Sequence, residues 1–159
     1  MATEVERKFL VAGGGWRHAA LGPGLPFRQG YLPNGGGADA PVVRIRLAGA
    51  AGVLTIKGPG LTTRAEYEYP IPAEDAAAML ATLCVPPVLE KTRTRVAHAG
   101  LVWEVDEFAG PLAGLVLAEV ELARIDQPVA LPDWVGREVS GDPRYLNSNL
   151  VRAGLPPRP

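Results

Sequence analysis

The sequence predicts a mainly β fold of the α+β class. The expected form is a closed antiparallel β-barrel of eight strands, a tunnel with a charged interior and flanking helices, including a C-terminal one. Three observations carry this. Short runs with period-two alternation recur along the chain. The 19 glycines and 16 prolines cut the chain into elements too short for long helices and suited to strands joined by turns. The polar faces of the runs are filled with charges, and most runs keep to one sign. Eight strands can close into a ring and so remove the exposed edges of an open sheet.

Residues 4–11 form the first run, with Glu4, Glu6 and Lys8 on one face and Val5, Arg7 and Phe9 on the other. Gly13-Gly14-Gly15 breaks it, and residues 16–21 read as a short helix stopped by Gly22-Pro23. Residues 27–32 are the second strand, ended by the turn Pro33-Asn34-Gly35-Gly36-Gly37. In 41–47, Val43, Ile45 and Leu47 oppose Arg44 and Arg46. In 53–57, Leu54 and Ile56 oppose Thr55 and Lys57. In 61–69, Arg64, Glu66 and Glu68 oppose Ala65, Tyr67 and Tyr69. The period then changes. Over 72–84, Ala76, Met79, Leu80 and Leu83 stand at helical spacing, with Glu74 and Asp75 in the first turn, where the helix dipole favours acid. Pro86-Pro87 ends this helix. Residues 88–97 align Lys91, Arg93 and Arg95, and 101–108 return as a hairpin partner across His98-Ala99-Gly100. Residues 114–123 align Glu119 and Glu121. The tail, 142–153, reads as one helix, with Asp142 as cap, Pro143 in the first position, and Leu146 and Leu150 four apart.

The 159 residues suit a single domain over 1–159. With 47% hydrophobic and 21% charged residues the chain is globular, not disordered. A net charge of −1 lacks the basic excess of a general nucleic-acid binder, so no nucleic-acid partner is expected. A single cysteine, Cys84, excludes an internal disulfide and a cysteine zinc cluster, and reads as a small core hydrophobe. No apolar run approaches the ~20 residues of a membrane span, and charges stand where a signal peptide needs its apolar segment. A cytoplasmic protein without a membrane partner is the default. The sequence leaves a monomer and a homodimer open.

The chemistry follows from the charged faces. Glu4/Glu6, Glu104/Asp106 and Glu119/Glu121 supply acid. Arg44/Arg46, Lys57 and Lys91/Arg93/Arg95 supply base, and the run with Arg64, Glu66 and Glu68 carries both. If the sheet closes with these faces inward, like charges are buried together, which is prohibitive without counter-charge. A polyphosphate neutralises the base. A hard cation such as Mg²⁺, which takes oxygen ligands and bridges to phosphates, neutralises the acid. The apolar faces (Val43, Ile45, Leu54, Ile56, Tyr67, Tyr69, Trp103, Val105) are then expected outside, under the helices.

Glu4-x-Glu6-x-Lys8, Arg44-x-Arg46, Lys57, Glu66-x-Glu68, Lys91-x-Arg93, Asp106 and Glu119-x-Glu121 resemble, in this order, the pattern of the triphosphate tunnel metalloenzymes, or CYTH superfamily. The likeness is greatest to the short bacterial inorganic triphosphatases. The tail Asp142-Pro143-Arg144-Tyr145-Leu146-Asn147-Ser148-Asn149-Leu150 looks like the closing helix of bacterial members. Each piece alone is weak, but the ordered set spans most of the chain.

The resemblance implies that Arg44, Arg46, Lys57, Lys91, Arg93 and Arg95 bind phosphates. Guanidinium forks suit bidentate contacts, and lysine acts as a point charge. It implies Glu4, Glu6, Asp106, Glu119 and Glu121 as ligands of Mg²⁺ or Mn²⁺, with Glu66 and Glu68 as supporting tunnel residues. Lys8 is implied as the activator of the attacking water, a role that a pKa depressed by neighbouring cations would serve. Tyr31 is either its partner or a core aromatic. The implied activity is metal-dependent hydrolysis of inorganic tripolyphosphate to pyrophosphate and phosphate. A class IV adenylyl cyclase, a thiamine or nucleoside triphosphatase, and a non-catalytic polyphosphate-binding module remain alternatives. A binder would be marked by loss of a carboxylate or of Lys8, and none is missing.

Overall fold

The computed structural model describes residues 2–35, 37 and 39–157. Its strands are β1 (Ala2–Val11), β2 (Leu25–Tyr31), β3 (Val42–Ala48), β4 (Ala51–Lys57), β5 (Thr63–Ile71), β6 (Leu89–His98), β7 (Leu101–Phe108), β8 (Val116–Glu121) and β9 (Val135–Glu138). Two α-helices accompany them, α1 (Ala73–Thr82) and α2 (Asn147–Ala153). Around the sheet the order is β5-β4-β3-β2-β6-β7-β8-β1, and β1 pairs back to β5, which closes an eight-stranded barrel. Every pairing is antiparallel. No helix among the described residues is long and apolar enough to cross a membrane.

Turn chemistry sets the register. In the β6–β7 hairpin, His98 pairs with Leu101 across a two-residue loop in which Ala99 and Gly100 both take positive φ (48° and 77°). That is the mirror-image turn whose twist matches the strands. Directly opposed residues share a face of the sheet. Arg44 lies opposite Tyr31 and Thr55, Arg93 opposite Asp106, Lys8 opposite Glu119, and Glu6 opposite Glu121. This face is the inside of the barrel.

The outside is covered differently from the expectation. One helix does cover part of it: α1 buries Ala76 and Leu80 against Ile45, with Leu47 and Leu54 packed alongside. A side chain at Gly30 would place Cβ 2.7 Å from Cys84 Cβ and 3.2 Å from Leu80 Cδ2, so glycine there lets this layer seat on β2. Trp103 and Val105 are fully buried, under Trp16 from the expected short helix, here the 3-10 helix Gly15–Ala19, and under Trp134 from a connecting segment. The Trp103 ring lies 5.5 Å from Phe9 and 5.6 Å from Trp134, centroid to centroid. Tyr67 and Tyr69 are exposed, with no helix over them.

Two further differences lie in the last 25 or so residues. β9 gives no periodic signal, because all four of its residues are at least partly exposed. It joins β1 through backbone pairing at Phe9 and Val11 and through a bidentate Arg7–Glu138 ion pair at 2.7–2.8 Å. The tail is not one helix. Asp142 caps a single 3-10 turn, Pro143–Tyr145, by accepting from the Arg144 N–H, and Leu146 is extended before α2 begins. The break has a packing cause. Leu10, Leu89, Phe108 and Leu117, all on inward faces, need an apolar cover at that end of the barrel. Tyr145, Leu150 and Val151 supply it. The tunnel interior is therefore charged over only part of its length and apolar at the end the tail closes.

Leu150 is the deepest of the closing side chains, at 1% exposure. Leu150→Ala should cost about 2–5 kcal/mol, read as a lower urea midpoint at unchanged slope. An unchanged midpoint would mean that the tail does not close the barrel.

Candidate active site

The barrel encloses a cavity of about 200 Å³. Its wall divides by sign. β3, β4 and β6 bring Arg44, Arg46, Lys57 and Arg93 to one side, and β1, β7 and β8 bring Glu4, Glu6, Glu104, Glu119 and Glu121 to the other. The sheet order places β4-β3-β2-β6 consecutively and β7-β8-β1 consecutively, so the acidic and basic strands form two facing half-walls.

Where the half-walls meet, charges pair. At the β6–β7 seam, Asp106 accepts from Arg93 Nε and Nη2 at 2.7 Å and from Lys91 Nζ at 2.6 Å. Arg93 also pairs with Glu104 and reaches Glu119 at 3.5 Å. At the other seam, Lys57 Nζ lies 2.8 Å from both Glu4 and Glu66, and Arg64 Nε lies 3.1 Å from Glu4. Burial pushes the Glu4 carboxyl up, but Lys57 and Arg64 outweigh it and bring it down to about 2. Burial likewise opposes the charge of Asp106, and Lys91 and Arg93 prevail, so it stays below the usual range.

Away from the seams the balance fails, in opposite senses on the two sides. On the basic side, burial and then the neighbours Arg44 and Arg93 pull Arg46 down to about 10. Arg44 donates through Nη2 to Thr55 at 3.0 Å and to Glu68 at 3.3 Å, but its buried Nε has no hydrogen-bond partner among the described residues. On the acidic side, burial and then Glu119 push Glu6 up to about 7. Burial and then Glu4 and Glu104 raise Glu121, which makes no ion pair among the described residues. The first side has spare donors for an anion. The second has oxygens whose repulsion a hard cation relieves.

Lys8 lies among the carboxylates. Its Nζ is 3.1 Å from Glu119 and donates to the Tyr145 carbonyl at 3.1 Å. Burial works against its charge, but Glu119 and then Glu6 more than compensate, so its pKa is raised. This reverses the depressed lysine expected from the sequence: the neighbours of Lys8 are acids, because β1 runs between β8 and β5. Tyr31 does face the cavity. Its hydroxyl accepts from Gln29 Nε2 at 2.9 Å, and burial keeps it protonated above the ordinary tyrosine range.

The other sequence-derived residues divide clearly. Glu66 and Glu68 line the cavity as ion-pair partners of Lys57 and Arg44. Lys91 and Asp106 do not line it; both are almost fully buried and engage one another. Arg95 lines a second cleft, with Leu21 and Leu25, that shares Arg46, Arg93 and Glu104 with the wall of the first. Sequence reading missed Gln29, whose place opposite Arg46 only the register reveals. It also missed Ser140, whose Oγ accepts from the Lys8 N–H at 2.9 Å. The tail contributes Leu146, Asn147 and Ser148 to the lining.

Fold and site together define a charged-tunnel barrel, one half-wall suited to a polyanion and the other to its cation. Residues 2–152 match the CYTH domain, and the chain belongs to that family. It is 46% identical over 153 residues to an inorganic triphosphatase of Acetivibrio thermocellus, covering 96% of this chain and 95% of that one. It is 39% identical over 154 residues to an inorganic triphosphatase of Nitrosomonas europaea, covering 94% and 97%. A crystal structure of an inorganic triphosphatase superposes with a TM-score of 0.66 at 36% identity, covering 95% of each chain.

The Glu6 carboxyl, pushed up to about 7, makes a sign-definite prediction for the empty protein. A raised carboxyl destabilises the fold once ionised, so stability falls as pH rises from about 4.5 to about 7. Glu6→Gln should therefore raise stability by on the order of 2 kcal/mol above that window and by nothing below it. Thermal melts across pH measure this, and an equal gain on both sides of the window would refute it.

Proposed function

We propose that this protein hydrolyses inorganic tripolyphosphate to pyrophosphate and phosphate, with Mg²⁺ or Mn²⁺ as its cation, as one tunnel domain in the cytoplasm. The observation that carries this is the opposed pair of half-walls, each short of counter-charge, around one cavity. The relatives named inorganic triphosphatase, matched almost end to end, support the same reaction.

Arg44, Arg46 and Arg93 hold the phosphate chain, with Lys57 and Arg64 closing the row. The unpartnered Arg44 Nε and the crowded Arg46 guanidinium gain most from an anion. Glu6 and Glu121 are the carboxylates left for the cation, with Glu4 and Glu119 beside them. Among the described residues no three acidic, histidine or cysteine side chains form a ready cation cage. Mg²⁺ binds through one or two carboxylates plus substrate phosphates. When bound, the cation offsets charge on the phosphate oxygens.

In the reaction, a water oxygen bonds to the terminal phosphorus as the bridging P–O bond breaks, the water's proton passes to an oxygen of the phosphate chain, and phosphate and pyrophosphate are released. Lys8, kept as ammonium by Glu119 and Glu6, donates to the phosphate under attack and balances its charge. Tyr31 donates from β2, in the facing half-wall. Asp106 and Lys91 fix Arg93 from behind.

Product analysis by ion chromatography tests this. Tripolyphosphate should give pyrophosphate and phosphate, EDTA should stop the reaction, and Mg²⁺ or Mn²⁺ should restore it. ATP converted to cyclic AMP and pyrophosphate instead would establish the cyclase reading, and binding without turnover a carrier. Lys8→Met should lower kcat by about 10²–10³-fold with little change in affinity. Arg44→Ala should act first on affinity, and should blunt the rise in melting temperature that tripolyphosphate gives the wild type. Should Lys8→Met lose affinity as Arg44→Ala does while keeping kcat, Lys8 is an anchor and not part of the chemistry.

A further inference from the structure

Gln29 is a polar side chain with no exposed surface and no part in the sequence motifs. It stands inside the barrel between two site residues. Its Oε1 accepts from Arg46 Nε at 3.2 Å, and its Nε2 donates to Tyr31 Oη at 2.9 Å. The assignment of the two amide ends follows from chemistry. A guanidinium has only donors, so the amide oxygen must face Arg46, and the amide nitrogen is left facing Tyr31. The tyrosine oxygen is then an acceptor toward Gln29, and its own proton must point elsewhere. Tyr31 lines this cavity and a second cleft beside Asn34 and Ser148, and a phosphate oxygen bound in the cavity is the strong acceptor open to that proton.

We infer that Gln29 is a positioning residue that orders the Arg46 guanidinium and turns the Tyr31 hydroxyl into a hydrogen-bond donor aimed at the substrate. The inference rests on the hydrolytic reading above and extends it. Without Gln29, the Tyr31 hydroxyl is free to rotate and Arg46 loses an acceptor in a wall already crowded with Arg44 and Arg93. The backbone makes the same connection. Gln29 and Tyr31 are two apart on β2, hence on one face, and Arg46 is the cross-strand partner of Gln29. Gly30 between them leaves room for the Cys84 and Leu80 side chains on the outer face, which fixes the strand against rotation.

Gln29→Glu isolates the polarity. It has the same shape, and a carboxylate among Arg44, Arg46 and Arg93 is electrostatically welcome, so the fold is kept. Both of its oxygens accept, so Arg46 stays paired while Tyr31 must donate to the new carboxylate and loses its donor function toward the cavity. The expected result is a fall in kcat of about 10²-fold, matching Tyr31→Phe, with a raised KM besides, because the new carboxylate also offsets the arginine charge that holds the polyanion. In kcat the double variant should be no worse than Tyr31→Phe alone, because both changes remove the same donor. Gln29→Met, which removes both contacts, should raise KM as well as lower kcat.

A second readout needs no turnover. The Tyr31 phenol titration, isolated by ultraviolet difference against Tyr31→Phe, should move to higher pH in Gln29→Glu. The cause is the loss of the amide donor and the gain of an anion beside it. Wild-type kcat in Gln29→Glu, losses that multiply in the double variant, or an unmoved phenol titration would each overturn the inference. An inactive wild type would defeat the hydrolytic reading instead, and the phenol titration would still decide whether Gln29 orients Tyr31.

Discussion

The structure depends on one electrostatic constraint: charges of both signs are buried in a barrel, each sign on its own set of strands. A buried charge is tolerated only when paired and hydrogen-bonded. Pairing is available where an acidic strand neighbours a basic one, so Asp106, Arg93 and Lys91 satisfy one another, and so do Glu4, Lys57 and Arg64. The centres of the two half-walls lie out of each other's reach across the cavity. Arg46 and Glu6 thus stay perturbed in opposite directions, by burial first and then by neighbours of their own sign. On the proposed function, a polyanion with a divalent cation satisfies both centres together. Binding and folding are coupled in the same way, since such a ligand meets its complementary field only in the closed barrel.

Closure itself depends on the chain's last quarter. The Val139 N–H donates to the Lys8 carbonyl at 2.8 Å, the Lys8 N–H to Ser140 Oγ, and Lys8 Nζ to the Tyr145 carbonyl. Three successive pieces of the C-terminal segment therefore hold one residue of the first strand. The 3-10 turn and the extended Leu146 look irregular in isolation. They direct the Tyr145 carbonyl at Lys8 and its ring into the apolar end of the barrel, next to Leu10 and Phe108. An uninterrupted helix would not present that carbonyl, because its backbone acceptors bond within the helix.

The barrel alone does not fix the reaction. A structure named as a putative adenylate cyclase from Bacillus halodurans superposes with a TM-score of 0.58 at 17% identity, which is a likeness of fold only. What a tunnel of this kind does rests on the side chains at its centre and on how they are held. Here the holding is unusually explicit. Arg93 is fixed by Asp106, Arg44 by Thr55 and Glu68, and Arg46 and Tyr31 by a single buried amide.

The sequence by itself determined the barrel strands, α1 and the charged inner face. Period-two alternation with like charges at i and i+2 has a local cause, the pleat of the strand, and needs no partner to be read. The same alternation placed Tyr31 on the face of Gln29 once the register was known. Tertiary structure alone decided which charges are spent and which are free. Lys91 and Asp106 look like Arg46 and Glu121 in sequence, yet the seam between β6 and β7 consumes the first pair and leaves the second unbalanced. It also decided that Lys8 is surrounded by acid, that β9 exists at all, and that the tail breaks at Leu146. These outcomes follow from contacts between residues more than 100 positions apart, such as Lys8 with Tyr145 and Arg7 with Glu138. Short-range periodicity carries no record of such contacts, because they join elements far apart along the chain.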